Sequence, residues 1–313
     1  MAVRLNSIQF ATIFQQALDK QMMHTMLTGW MDANAGQVKY NGGKEIKIPI
    51  ITVDGLADYG RTTGTGFVGG KATITYKTYE MTQDRGRSFS LDRHDVDESN
   101  YVATMGNIMG EFQRTQVVPE VDAYRISKCI ANATTVGEGD TNAKWSVTID
   151  KNNALSELKN AIKVLREQGY NGEIVVHCTY DFQLALEEQC AGKITTVTFK
   201  NGGIDTTVPA VDGCILIPTP SNYMVSAIKL NSGGSSEEAG GFTTGSSAKK
   251  CNFIAIGKTV PIAVTKQDKV RTFTPDENQS MDAWKSDYRR YHDLFILENK
   301  KTLMFANMSE AKA

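Results

Sequence analysis

Two stretches of this chain hold residue types that do chemistry elsewhere. Gly64-Thr65-Gly66-Phe67-Val68-Gly69 fits the GxGxxG spacing, in which glycines let backbone N–H groups approach a pyrophosphate at a helix N-terminus. That mechanism needs a strand before the motif and a helix after it. Here Ala72 to Tyr79 alternates like a strand instead, with Ile74 and Tyr76 on one side and Thr73, Thr75 and Lys77 on the other. A kinase-type glycine loop lies between strands, but no HRD or DFG sequence follows, and Lys71 precedes Ala72 where a P-loop needs Ser or Thr. The glycines are therefore expected at the tip of a hairpin, not at a nucleotide.

The second stretch is Asp92, His94, Asp95, Asp97 and Glu98, a set of candidate metal ligands. It lacks the glycine and the distant glutamate of a calcium loop. Carboxylates at a helix start satisfy free N–H groups and the positive end of the dipole, so helix entry is the expected role. His24, His177 and His292 have no second histidine at i+4, and no GxSxG elbow is present. Lys249 and Lys250 are expected on a solvated surface. No catalytic residue, metal or cofactor is expected, and the chain is not expected to be an enzyme.

Composition sets the frame. The chain has 313 residues, 41% hydrophobic and 22% charged, with a formal net charge of −1. That allows a sizeable core and gives no global basic field for nucleic acid. The five cysteines form no CxxC pair and are expected reduced and buried. No secretory leader or membrane-spanning run is recognisable, so a soluble cytoplasmic product with no membrane partner is expected.

The elements follow from periodicity. Ile8, Ala11, Phe14 and Leu18 recur at three and four as an amphipathic helix, followed by Met22, Met23, Met26, Leu27, Trp30 and Met31. A short arm cannot bury these alone, so it is expected to lie on something else. Ile46, Ile48 and Ile50 alternate with polar residues as one strand of a long hairpin, too sparsely apolar to stand by itself. Asp97 and Ser99 can cap a helix running through Met105, Met109 and Phe112, and Pro119 suggests a second start, together a helix of about 30 residues, bent or broken near Pro119. Beyond it, helices at 155–165 and 181–189 alternate with strands at 174–177, 213–217 and 253–256. The stretch 232–250 has no periodicity and is expected as an exposed loop. Residues 294–297 and 302–306 are expected to pair as a closing hairpin around Glu298-Asn299-Lys300.

In this order of parts, and in Asp84-Arg85-Gly86-Arg87-Ser88-Phe89-Ser90-Leu91-Asp92, Pro119-Glu120-Val121-Asp122-Ala123-Tyr124, Val211-Asp212-Gly213-Cys214-Ile215-Leu216-Ile217 and Tyr291-His292-Asp293-Leu294-Phe295-Ile296-Leu297, the chain resembles the major capsid proteins of tailed phages with the Hong Kong 97-type fold. The resemblance spans nearly the whole chain. It implies an α+β fold with an N-terminal arm over 1–42, an extended E-loop hairpin over 43–92, a peripheral domain with a spine helix over 93–136 and 271–313, and an α/β axial domain over 137–270.

It further implies a structural protein that self-assembles through pentamers and hexamers into an icosahedral shell around double-stranded DNA. The partners would be a separate scaffolding protein, a portal at one vertex and packaged DNA held by nonspecific contact. The product would sit in the virion after assembly in a bacterial cytoplasm. Expected inter-subunit contacts are Phe10, Phe14, Trp30, Ile46, Ile48, Arg61, Phe67, Lys71 and Tyr76. An encapsulin-like compartment shell and a phage tail component stay open as alternatives. An enzyme with its site in 145–270 would instead show a pocket of convergent polar groups.

Overall fold

The computed structural model describes residues 26–37, 45–59, 66–92, 105–136, 141–190, 194–201, 204–234, 237, 239–278 and 281–312. A 3-10 helix over Gly29–Gln37 leads to the strands β1 (Glu45–Val53), β2 (Ala72–Glu80) and β3 (Gln83–Asp92). Helix α1 (Met105–Phe112) runs through a wide turn at Gln113–Val117 into α2 (Val118–Thr135). Next come β4 (Ala143–Lys144), α3 (Ala154–Glu167), β5 (Ile174–Cys178), α4 (Tyr180–Cys190), β6 (Thr195–Asn201), β7 (Ile204–Val211) and β8 (Cys214–Pro218). The chain ends through β9 (Ile228–Leu230), β10 (Phe242–Thr244), β11 (Cys251–Gly257), β12 (Pro261–Phe273), β13 (Ala283–Ile296) and β14 (Met304–Met308).

Near-continuous apolar runs suit strands covered on both faces, and these form the centre of a seven-stranded sheet in the order β4-β14-β11-β5-β8-β7-β6. One face, with Ile174, Val176, Leu216, Phe253 and Phe305, packs on α3 and α4 through Leu158, Leu165, Phe182 and Leu186. The other, with Val175, Ile215, Ile254 and Met304, packs on α2 through Ile126, Cys129 and Ile130, and on Trp30 and Met31. A second, antiparallel sheet runs β12-β13-β3. There Phe89, Leu91, Val270, Trp284 and Tyr288 lie against Met105, Met109, Phe112 and Val121 of α1 and α2. All five cysteines are free and buried, as expected.

The structure corrects several expectations. The long helix neither breaks nor restarts at Pro119: Val117 and Val118 keep helical dihedrals, and the Val118 N–H reaches back five residues to the Gln113 carbonyl. The widened turn relieves the clash a proline ring makes with the carbonyl four residues earlier. β13 and β14 do not form a hairpin, because Glu298–Lys300 is a single 3-10 turn that hands the chain from one sheet to the other. The boundary expected at 270 falls inside β12, and β14 belongs to the same sheet as β5 and β8. The stretch expected as a bare loop at 232–250 contains β10, which pairs with β9.

Candidate functional site

β1 and β2 pair in register over nine rungs, from Glu45–Glu80 to Val53–Ala72, and the same strand code meets two environments along this ribbon. At the base, Ile46 and Ile48 pack with Met81, Ile262, Val264 and Phe295 in a buried cluster of the chain's own. Lys77 pairs with Glu298 across the same region. Burial of each isoleucine is worth about 1.5–3 kcal/mol.

Beyond Ile50 the ribbon is exposed. Of the twelve large apolar side chains most exposed among the described residues, eight lie between Ile51 and Tyr76. The Asp54 N–H donates to the Lys71 carbonyl at 3.1 Å, and the Lys71 N–H donates to Asp54 Oδ2 at 2.7 Å, adding a rung past the strands. Further out, Tyr59 and Phe67 meet edge to face, 4.8 Å between ring centres, and Gly66 takes a φ of +62° beside Tyr59. A contiguous apolar surface on an extended element marks a contact surface.

Helix α2 fixes both the root of the arm and the return of the hairpin, with a different flank for each. On one flank, buried Asp122 accepts hydrogen bonds from the Leu27 N–H at 2.8 Å, the Thr28 N–H at 3.0 Å and the Thr28 hydroxyl at 2.5 Å. Arg125, fully buried, clasps Asp32 at 2.8 and 3.1 Å and donates to the Thr28 carbonyl at 3.1 Å. On the other flank, Tyr124 and Lys128 donate to Asp293 Oδ1 at 2.8 and 2.5 Å. Asp293 Oδ2 receives the N–H and hydroxyl of Thr82, both at 2.9 Å, just after β2. Glu120, one turn earlier, takes both forks of Arg85 at 2.7 and 2.9 Å, and Arg85 also donates to the carbonyls of Asn231 and Gly241. These five α2 residues are three and four apart, so each set shares a flank.

The electrostatics follow from that burial. Desolvation works against ionisation of Asp293, but Lys128, the Tyr124 hydroxyl and the Thr82 N–H outweigh it and hold its carboxyl below the usual range. Burial pushes Asp122 up against the pull of its donors. His177 lies fully buried and its pKa drops to about 3. Thr219 donates its hydroxyl to the Ile217 carbonyl, so it receives Nδ1–H of His177, and Nε2 is left to accept from Trp30 Nε1 at 3.3 Å. Burial pushes the thiols of Cys129 and Cys178 up to about 12, which makes them poor nucleophiles.

The nine expected contact residues therefore divide. Phe67, Lys71 and Tyr76 are exposed on the ribbon. Ile46, Ile48 and Trp30 are instead buried at 1%, 7% and 2% exposure against this chain's own core, so little of them is left for a neighbour. Phe10, Phe14 and Arg61 lie outside the described residues, as does His94 to Glu98 of the acidic stretch. Among the described residues no group of three His, Cys, Asp or Glu side chains could hold a metal, and no helix is long and apolar enough to cross a membrane. A cavity of about 370 Å³ lies between β3, β13, the α1–α2 helix and the 231–241 segment. Sequence reasoning missed Asp122, Arg125 and Asp293, whose partners lie 93 to 211 residues away and leave no local signal.

No protein-family model and no curated protein sequence matches the chain. Solved structures do. A chain from Mycobacterium phage Che8 superposes with a TM-score of 0.56 at 13% identity, covering 88% of this chain and 90% of that one. The mature capsid of bacteriophage PhiM1 gives 0.54 at 10% identity, covering 84% and 81%. The capsid of Staphylococcus phage Andhra gives 0.54 at 11% identity, covering 86% and 81%. The chain thus has the α+β fold of phage capsid subunits, and at these identities the likeness is one of fold.

Proposed function

We propose that this protein is the major capsid protein of a tailed phage, a structural subunit that assembles through pentamers and hexamers into an icosahedral shell around double-stranded DNA. The observation that carries the reading is the ribbon: its base is buried in its own subunit, while its outer part holds most of the exposed large apolar side chains. A subunit alone leaves that surface in water; a second copy covers it. The likeness to the PhiM1 and Andhra capsids supports the same reading.

On this reading function is geometry, and no residue performs a reaction. Phe67, Lys71 and Tyr76 are the contact residues, with Ile51, Val53 and Leu56 added by their exposure. A separate scaffolding protein directs closure, a portal occupies one vertex, DNA is held without sequence reading, and the product resides in the virion after assembly in the bacterial cytoplasm. Electron microscopy of the purified protein, with and without a scaffolding partner, tests this. Closed particles or rings of five and six copies are expected; a monomer under every condition would overturn the proposal.

A further inference from the structure

Two neighbouring helices carry opposite charge on the sides that the core does not use. In α3, Leu158, Ala161 and Leu165 face the sheet, and Lys159, Lys163 and Arg166 recur at four and three on an outward flank. In α4, Phe182, Leu186 and Cys190 are buried. Opposite them stand Tyr180 and Leu184, each 60% exposed, bordered by exposed Asp181, Glu187 and Glu188. An apolar pair inside a charged rim has the anatomy of an interface centre.

Within the subunit these charges are weakly engaged. Lys159 stands 3.6 Å from Asp212 and Lys163 3.7 Å from Glu167, both in exposed settings. Arg166 donates to the carbonyls of Tyr170 and Gly172. Glu187 accepts from Gln183 one turn earlier on its own helix. Long, solvated pairs of this kind are readily exchanged for others.

We infer that the acidic, apolar flank of α4 in one copy docks on the basic flank of α3 in the next. The occupant is a second copy because this chain itself supplies the complementary charge. The two flanks are different surfaces, so the contact is heterologous: it repeats head to tail and closes into a ring if the rotation allows. The inference rests on the shell reading and adds to it which surfaces meet within a capsomer.

Two double variants test it, Glu187→Lys with Glu188→Lys, and Lys159→Glu with Lys163→Glu. All four positions are exposed, so thermal unfolding of the isolated subunits should stay at the wild-type value. Each variant alone faces like charge across every contact, and ring and particle yield should fall by more than about tenfold. The chain carrying all four changes should recover assembly. An equal mixture of the two double variants should give rings of six, where the variants can alternate, but not rings of five. Double variants that assemble at wild-type yield, or a folded quadruple variant that recovers nothing, overturn the inference while the shell reading stands. A wild-type protein that forms neither rings nor shells overturns both.

Discussion

The inner and outer parts of the β1–β2 ribbon share one register, yet on the face that carries Ile46 and Ile48, both buried, Ile50 is half-buried and Thr52 exposed, while Ile51 and Val53 stand exposed on the opposite face. What separates base from outer part is the neighbour: β12 and β13 supply Ile262, Val264 and Phe295 beneath Ile46 and Ile48, and none of the described residues buries either face of the ribbon beyond Ile50. An alternating strand states that one face wants cover, not who provides it. Stability and assembly should therefore respond to different residues.

The largest loss is expected at the buried anchor that holds the arm root. Arg125→Ala leaves Asp32 and the Thr28 carbonyl without their partner and should cost about 3–5 kcal/mol in denaturant unfolding. An unchanged midpoint would remove α2 as the organising helix.

Ile46→Ala should cost about 2–5 kcal/mol of subunit stability by emptying a packed site. Val53→Ala should change it by less than about 0.5 kcal/mol, yet lower particle yield. Equal effects of the two on both readouts would erase the distinction between base and outer ribbon.

Acid sharpens the same contrast, since the buried histidines belong to the core and not to the ribbon. His177 is held at about 3 and His292 below its ordinary value, in each case first by desolvation. The unfolded chain binds those protons first, so their contribution is complete above about pH 6.5 and is lost as pH falls toward the folded value. The slope is at most about 1.4 kcal/mol per pH unit for each group. Asp122, raised by burial, acts in the opposite sense at low pH. The readout is therefore the difference between wild type and His177→Gln in unfolding free energy from pH 7 to pH 4, and parallel curves would show that His177 is not held neutral.

The smallest effect on the isolated subunit is expected at the ring pair of the outer ribbon. Phe67→Ala loses one exposed contact with Tyr59 and should shift subunit stability by less than about 0.5 kcal/mol. A large shift, seen by calorimetry, would mean that the ribbon is part of the subunit's own fold.

Much of the fold was legible in the sequence because it is written in local periods. The 3.6-residue stripes of α2, α3 and α4 and the apolar runs of β5, β8 and β11 were expected within a residue or two of where they lie. β12 and β13 were harder to see: their outer residues Lys269, Arg271, Lys285 and Arg289 interrupt the apolar pattern on a sheet face that α1 and α2 do not cover. The closing strands were misread because Glu298-Asn299-Lys300 has the length of a hairpin turn, and only the sheet on either side tells the two cases apart. Trp30 was expected at an interface for its size and its place on an arm. Its burial depends on Ile126 and Ile130 of α2, and its indole N–H on His177, all far along the chain.

The clamp of Asp293 on Thr82 has a mechanical consequence. It fixes one leg of the ribbon where that leg leaves the body, while Ile46 and Ile48 fix the other, so the ribbon has a fulcrum near Ile50. The paired strands run three rungs beyond it, roughly 10 Å at the rise of a strand, and a tilt of about 10° there carries their end by roughly 2 Å, and the chain past it by more. Neither the buried ion pairs of α2 nor either sheet has to move. One covalent structure can in this way reach neighbours set at different spacings, with an unchanged interior in every position.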